Sequence, residues 1–203
     1  MAVANLERQA AVNIGLTNIG LAPVATLTGA LPAVVSQAVA VLDEVNRNMQ
    51  AKGLHWNTEY DYPLVPDGSG YITWPDSLAK ITLTAANNPG EVILVRRSSK
   101  LYDRTARTNV WADTLLATVV VYLEWDDLPQ AARQYVAVRA ARTLSDRVVG
   151  SQEAASLTEQ DEFLAKSEMM DEESLLAQYN VFDNYSSSGA LRRTLGQKWH
   201  YNR

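Results

Sequence analysis

Apolar residues recur at helical spacing in two stretches near the start of the chain. Leu6, Ala10 and Ile14, with Val12, Leu16 and Ile19, predict a helix from Leu6 to Ile19 that Gly20 stops. A loop marked by Pro23 and Gly29 follows. Pro32 suits the first turn of a second helix, where its missing N–H has no intrahelical partner to lose. That helix should reach Lys52, with Gly53 at its C-terminal cap. Val34, Val35, Ala38, Val41, Leu42, Val45 and Met49 form one stripe on it, and Asp43, Glu44, Arg47 and Lys52 fall mostly outside that stripe.

After Gly53 the period changes. His55 to Ile81 carries prolines, glycines and many aromatics, and reads as short strands joined by turns, with Pro66-Asp67-Gly68-Ser69-Gly70 the clearest turn. Leu78 to Thr84 alternates around Ala79, Ile81 and Leu83, and Asn87-Asn88-Pro89-Gly90 is a second turn. Val92 to Val95 and Lys100 to Arg104 read as short strands, and the β-branched run from Leu115 to Trp125 as a buried one. Asp126-Asp127-Leu128-Pro129 resembles a helix start, with acids at the positive end of the dipole. This third helix should end at Gly150, and a fourth should run from Glu153 to Phe182.

The expected fold is therefore α+β. Residues 1–53 and 126–182 would form a four-helix bundle, because neither helix pair can bury its stripe alone. Residues 54–125 would form a small, mainly antiparallel β-domain inserted between helices two and three. Residues 183–203 would form an extended C-terminal arm.

Composition narrows the function classes. At 203 residues, 47% hydrophobic and 20% charged, the chain is ordinary globular protein. A net charge of −5 argues against a dedicated nucleic-acid binder. No cysteine is present, and His55 and His200 offer no clustered spacing for zinc, so neither a metal nor a cofactor is expected. The N-terminus shows no basic region before an apolar run, and the longest apolar stretches, near Ala33–Leu42 and Leu115–Leu123, are too short to span a bilayer. A soluble protein without a membrane role is expected.

Catalytic readings find little support. Trp56, Trp74, Trp111, Trp125, Tyr60, Tyr62 and Tyr71 could stack on sugars, but core filling in a small β-domain accounts for them as well. Glu59, Asp61, Asp67 and Asp76 could supply a glycosidase pair, as could any acidic loop. A virion-associated polysaccharide or peptidoglycan hydrolase, or a glycan-binding module, is thus the alternative to a structural role. Ser98-Ser99-Lys100 lacks a paired histidine, and Gly68-Ser69-Gly70 lacks the Gly-Lys-Ser/Thr of a phosphate loop. No catalytic residue is assigned.

Charge is more informative. Glu153 to Asp183 holds nine acids and one base, Lys166, whereas Asn184 to Arg203 holds four bases and no acid. The basic segment also carries Tyr185, Leu191, Leu195, Trp199 and Tyr201, which are costly to leave exposed and belong to the types that anchor interfaces. An acidic helix and a basic, aromatic arm are the expected partner-holding features.

Three blocks then show a resemblance: LDEVNRNMQAKGLHWN at Leu42–Asn57, LYDRT at Leu101–Thr105, and LEWDDLPQAARQYVAVRAARTLSDRVVG at Leu123–Gly150. In order and spacing they resemble the tail tubular protein A family, the head-to-tail adaptors of short-tailed phages. The resemblance implies a structural protein of the virion tail, assembled in the host cytoplasm. It implies a homo-oligomeric ring of twelve copies between the portal protein and the nozzle protein, near the tail fibres. Viral DNA would pass through the ring without specific binding. The portal or neighbour contact would fall on Tyr185, Leu191, Arg192, Arg193, Leu195, Lys198, Trp199, Tyr201 and Arg203. Glu168, Asp171, Glu172 and Glu173 would face the channel or an adjacent subunit.

Overall fold

In the computed structural model two helices, a run of strands and two further helices follow one another in the order the sequence predicts. The structure describes residues 7–83, 94–148, 150 and 152–176, the last stretch with side chains from 159 to 175. The Asn87–Gly90 turn, the C-terminal arm and the end of the last helix beyond Leu176 lie outside the described residues.

Helices α1 (Arg8–Asn18) and α2 (Ala33–Gln50) precede strands β1 (Thr58–Leu64), β2 (Leu78–Leu83), β3 (Leu94–Arg97), β4 (Lys100–Asp103) and β5 (Leu115–Val121). Helices α3 (Gln130–Val148) and α4 (Gln152–Leu176) follow. The fold class is α+β. Helix α3 packs against α1, α2 and α4, and α1 also touches α2. The predicted stripe on α2 is its buried face: Val35, Ala38, Val41, Leu42, Val45 and Met49 meet Leu16 of α1 and Val136, Ala140 and Leu144 of α3. Gly15 of α1 faces Leu144 of α3, where a Cβ would make an ordinary contact of 3.4 Å with Leu144 Cδ2.

β5 is the centre of a three-stranded antiparallel sheet in the order β1–β5–β2. Its neighbours Val119 and Val120 are both buried, on opposite faces. Val119 joins a second core with Leu64, Ile72, Trp74, Leu101 and Ala117, while Val120 packs under the exit from α2. There Gly53 turns the chain at φ +77°, and a Cβ on it would come within 2.9 Å of Val120 Cγ2. β3 and β4 form a hairpin whose turn residues Ser98 and Ser99 both have positive φ.

The third helix starts later than the acids suggest. Trp125–Asp127 is a single 3-10 turn, and Leu128, which precedes Pro129, is held extended at ψ 144°, so α3 begins only at Gln130. Arg133, buried at 5%, ties this entry down by donating from Nε to the Leu128 carbonyl at 2.9 Å. The Tyr71–Trp74 region, read as part of a strand-rich stretch, makes only isolated bridges, Tyr71 to Val110 and Thr73 to Lys100.

Two buried amides join the helical and β parts. Gln50 Nε2 donates to the Leu123 carbonyl at 3.1 Å, and Gln50 Oε1 accepts from the Leu123 N–H at 2.7 Å. Asn57 Nδ2 donates to the carbonyls of Gln50 and Val121, and its Oδ1 accepts from the Leu54 N–H. Both side chains are 1–2% exposed, so the outgoing and returning chains are locked together at one point.

Candidate interaction surface

The aromatic set divides between the cores and the surface. Trp74 and Trp125 are buried, and Trp56 and Trp111 pack half-buried against the helical and β cores respectively. The indole N–H groups of Trp74 and Trp111 donate to the carbonyls of Leu78 and Leu101. Tyr71 lies under Lys100, whose Nζ sits 3.4 Å from the ring centre. Tyr60 and Tyr62, at 65% and 38% exposure, are what the set leaves for a partner.

The carboxylates of this region serve turns and ion pairs. Asp67 Oδ1 accepts from the N–H groups of Ser69 and Tyr71 and closes the predicted turn. The Tyr71 N–H and then the Ser69 N–H hold its carboxyl below the ordinary value. Arg96 does the same to Asp76. A glycosidase acid needs the opposite shift.

Because the folded pKa of Asp67 is depressed, its contribution to stability is complete above the ordinary value of 3.8 and is lost as pH falls through the lower folded value. The gap in urea midpoint between wild type and Asp67→Asn should therefore be widest near neutrality and narrow in acid. A gap that does not change with pH would count against this role of the turn.

His55 is exposed and begins a 3-10 turn, His55–Asn57, and its backbone N–H donates to Glu173 on α4. Ser98 and Ser99 are hairpin-turn residues. Among the described residues, no group of His, Asp and Glu could hold a metal ion.

Helix α4 carries the predicted acids but does not use them alike. Glu162, counted only as one of a run, is buried between Arg139 and Arg142 of α3. The Glu162 hydrogen bond raises the pKa of Arg142. At Arg139, burial works against the charge, but bonds to Glu162 and Tyr135 outweigh it. Glu173 is half-buried at the helix–sheet junction, with Oε2 buried and without a hydrogen-bond partner among the described residues. Asp171 and Glu172 follow Glu168 by three and four residues, which puts each of them beside it on the helix surface. Glu168 and Asp171 are exposed and Glu172 is half-buried. The structure thus brings three of the four predicted acids together and turns the fourth toward the junction.

Alongside these acids α4 exposes large apolar side chains: Phe163 at 69%, Leu164 at 53%, Met170 at 44% and Leu175 at 79%. Among its described side chains, Ala165 and Met169 are the hydrophobics that α4 contributes to the core. Sequence reasoning missed this surface, because the phase of α4 against α3 is set by the clamp on Glu162. Tyr185, Leu191, Arg192, Arg193, Leu195, Lys198, Trp199, Tyr201 and Arg203 all lie outside the described residues.

Among the described residues, no helix is long and apolar enough to cross a membrane. The family described as Tube: Tail tubular protein matches residues 9–179. No curated protein matches the chain.

Proposed function

Since the chain belongs to the tail tubular protein family, with a structural role in the phage tail, we propose that it is the adaptor ring between the portal vertex and the tail nozzle. In this reading several copies, twelve by resemblance, form a closed ring beneath the portal protein and above the nozzle protein, close to the tail fibres. DNA passes through it during packaging, retention and ejection without specific binding. Residues 1–53 and 126–182 form a four-helix bundle, 54–125 an inserted β-domain, and 183–203 an arm reaching the portal or a neighbour. The separate helical and β cores support that division.

The observation that carries the reading is the surface of α4. A tail protein that exposes Phe163, Leu164, Met170 and Leu175 on one acidic helix presents an interface rather than a solvated face. Copies related by a rotation need two different complementary patches. The acids Glu168, Asp171 and Glu172 either meet a neighbour or line the channel, where they repel phosphate.

Purified chain should dock onto portal rings with one copy per portal subunit, and absence of docking to cognate portals would refute the adaptor role. Truncation after Ser188 should leave the far-UV circular dichroism unchanged, since the described helices lie earlier, and should weaken docking. Undiminished docking by the truncated chain would remove the arm from the contact.

A further inference from the structure

A groove of about 520 Å³ runs between α1, α3 and α4. Its apolar lining includes Ile14, Val138 and Leu164, and Asp161 and Glu168 add two carboxylates. Neither carboxylate is in an ion pair among the described residues, and the lining holds no cation. The groove therefore suits an occupant that is both apolar and basic.

The chain supplies such an occupant. Leu191, Leu195 and Trp199 recur at four-residue intervals, the spacing of a single apolar face, and Arg192, Arg193 and Lys198 stand between them with no acid. The joining segment, 177–190, is rich in Ser and Asn and spans at most about 50 Å when extended. With the helix carried to Phe182, as the adaptor reading has it, Leu164 lies about 27 Å back along it and 183–190 spans about 29 Å when extended, so the segment just reaches the groove. A tethered segment faces its target at an effective concentration on the order of millimolar, which favours it over a free competitor.

We propose that the groove between α1, α3 and α4 is the seat of this chain's own C-terminal segment, residues 191–203, before assembly. Seating covers the aromatic and aliphatic residues of the arm and neutralises Asp161 and Glu168. Assembly then means exchange: the segment leaves the groove for its partner, and the vacated acids become available to another surface. The proposal rests on the adaptor reading for that exchange, but the seat itself is tested on the isolated chain.

The absence of native cysteine makes cross-linking clean. Full-length chains carrying Leu195→Cys with Leu164→Cys, or with Thr17→Cys on the opposite wall, are oxidised and resolved by mass and peptide mapping. Both anchor positions are exposed, and circular dichroism checks the fold. The expected result is an intrachain disulfide from both anchors, independent of concentration, and absent when the anchor is Arg104→Cys on the exposed loop after β4. Adding Asp161→Lys with Glu168→Lys should slow closure about tenfold. Equal closure to Arg104→Cys, or cross-links that form only between chains, would overturn the proposal. Failure of portal docking would leave this disulfide intact, so the two readings fail separately.

Discussion

Replacing Asn57 with alanine is expected to lower the free energy of unfolding by about 3 kcal/mol or more. The side chain is 2% exposed and satisfies three main-chain groups: the Leu54 N–H, the Gln50 carbonyl and the Val121 carbonyl. Each buried group left unpaired costs about 1–3 kcal/mol, and water can reach few of them. The geometry also fixes which end of the amide points where, because two carbonyls demand a donor and one N–H demands an acceptor. Asn57→Asp should therefore be no better at neutral pH, since it places an anion against two carbonyl oxygens. It should recover partly in acid, once the carboxyl regains a proton to donate. Urea midpoints for both variants across pH check this, and an alanine variant within about 1 kcal/mol of wild type would show that the junction is not a keystone.

Leu144→Ala should cost about 2–5 kcal/mol by opening a cavity in the helical core. Leu144 is 1% exposed and lies against Gly15 of α1. The same denaturation assay reads it, and a loss below about 1 kcal/mol would mean that the site collapses freely. The loss should spread to the groove, because Ile14 and Thr17 of α1 line it and α1 rests on this contact.

The helices were legible because their stripes are periodic and their ends carry punctuation. Val35 to Met49 repeats at helical spacing, and Gly53 marks the turn that only a left-handed residue without a side chain tolerates beside Val120. The strands were harder. β1 carries a register shift between Glu59 and Tyr62, with Asp61 at φ 53°, and every residue from Glu59 to Pro63 is exposed, so alternation fails as a guide there. The Tyr71–Trp74 stretch is held by isolated bridges and by Asp67, which no periodicity announces. The acids of α4 were counted correctly, but their roles were not readable. Whether an acid is clamped, like Glu162, or exposed, like Glu168, depends on how α4 is rotated against α3. The junction amides Gln50 and Asn57 fall inside one of the blocks that carried the family resemblance, so their signal was present without its reason.

The pairing of Gln50 with Leu123 has a consequence for variation. The chain leaves the helices and returns to them within one hydrogen bond of the same point. In the division proposed above, the segment between them is a cassette with adjacent ends, a geometry that tolerates exchange or insertion of whole modules. A virus under pressure to alter what its tail meets could lengthen, trim or replace that cassette while the helices kept their packing. The requirement on any newcomer is modest: one buried amide facing each of the two crossings.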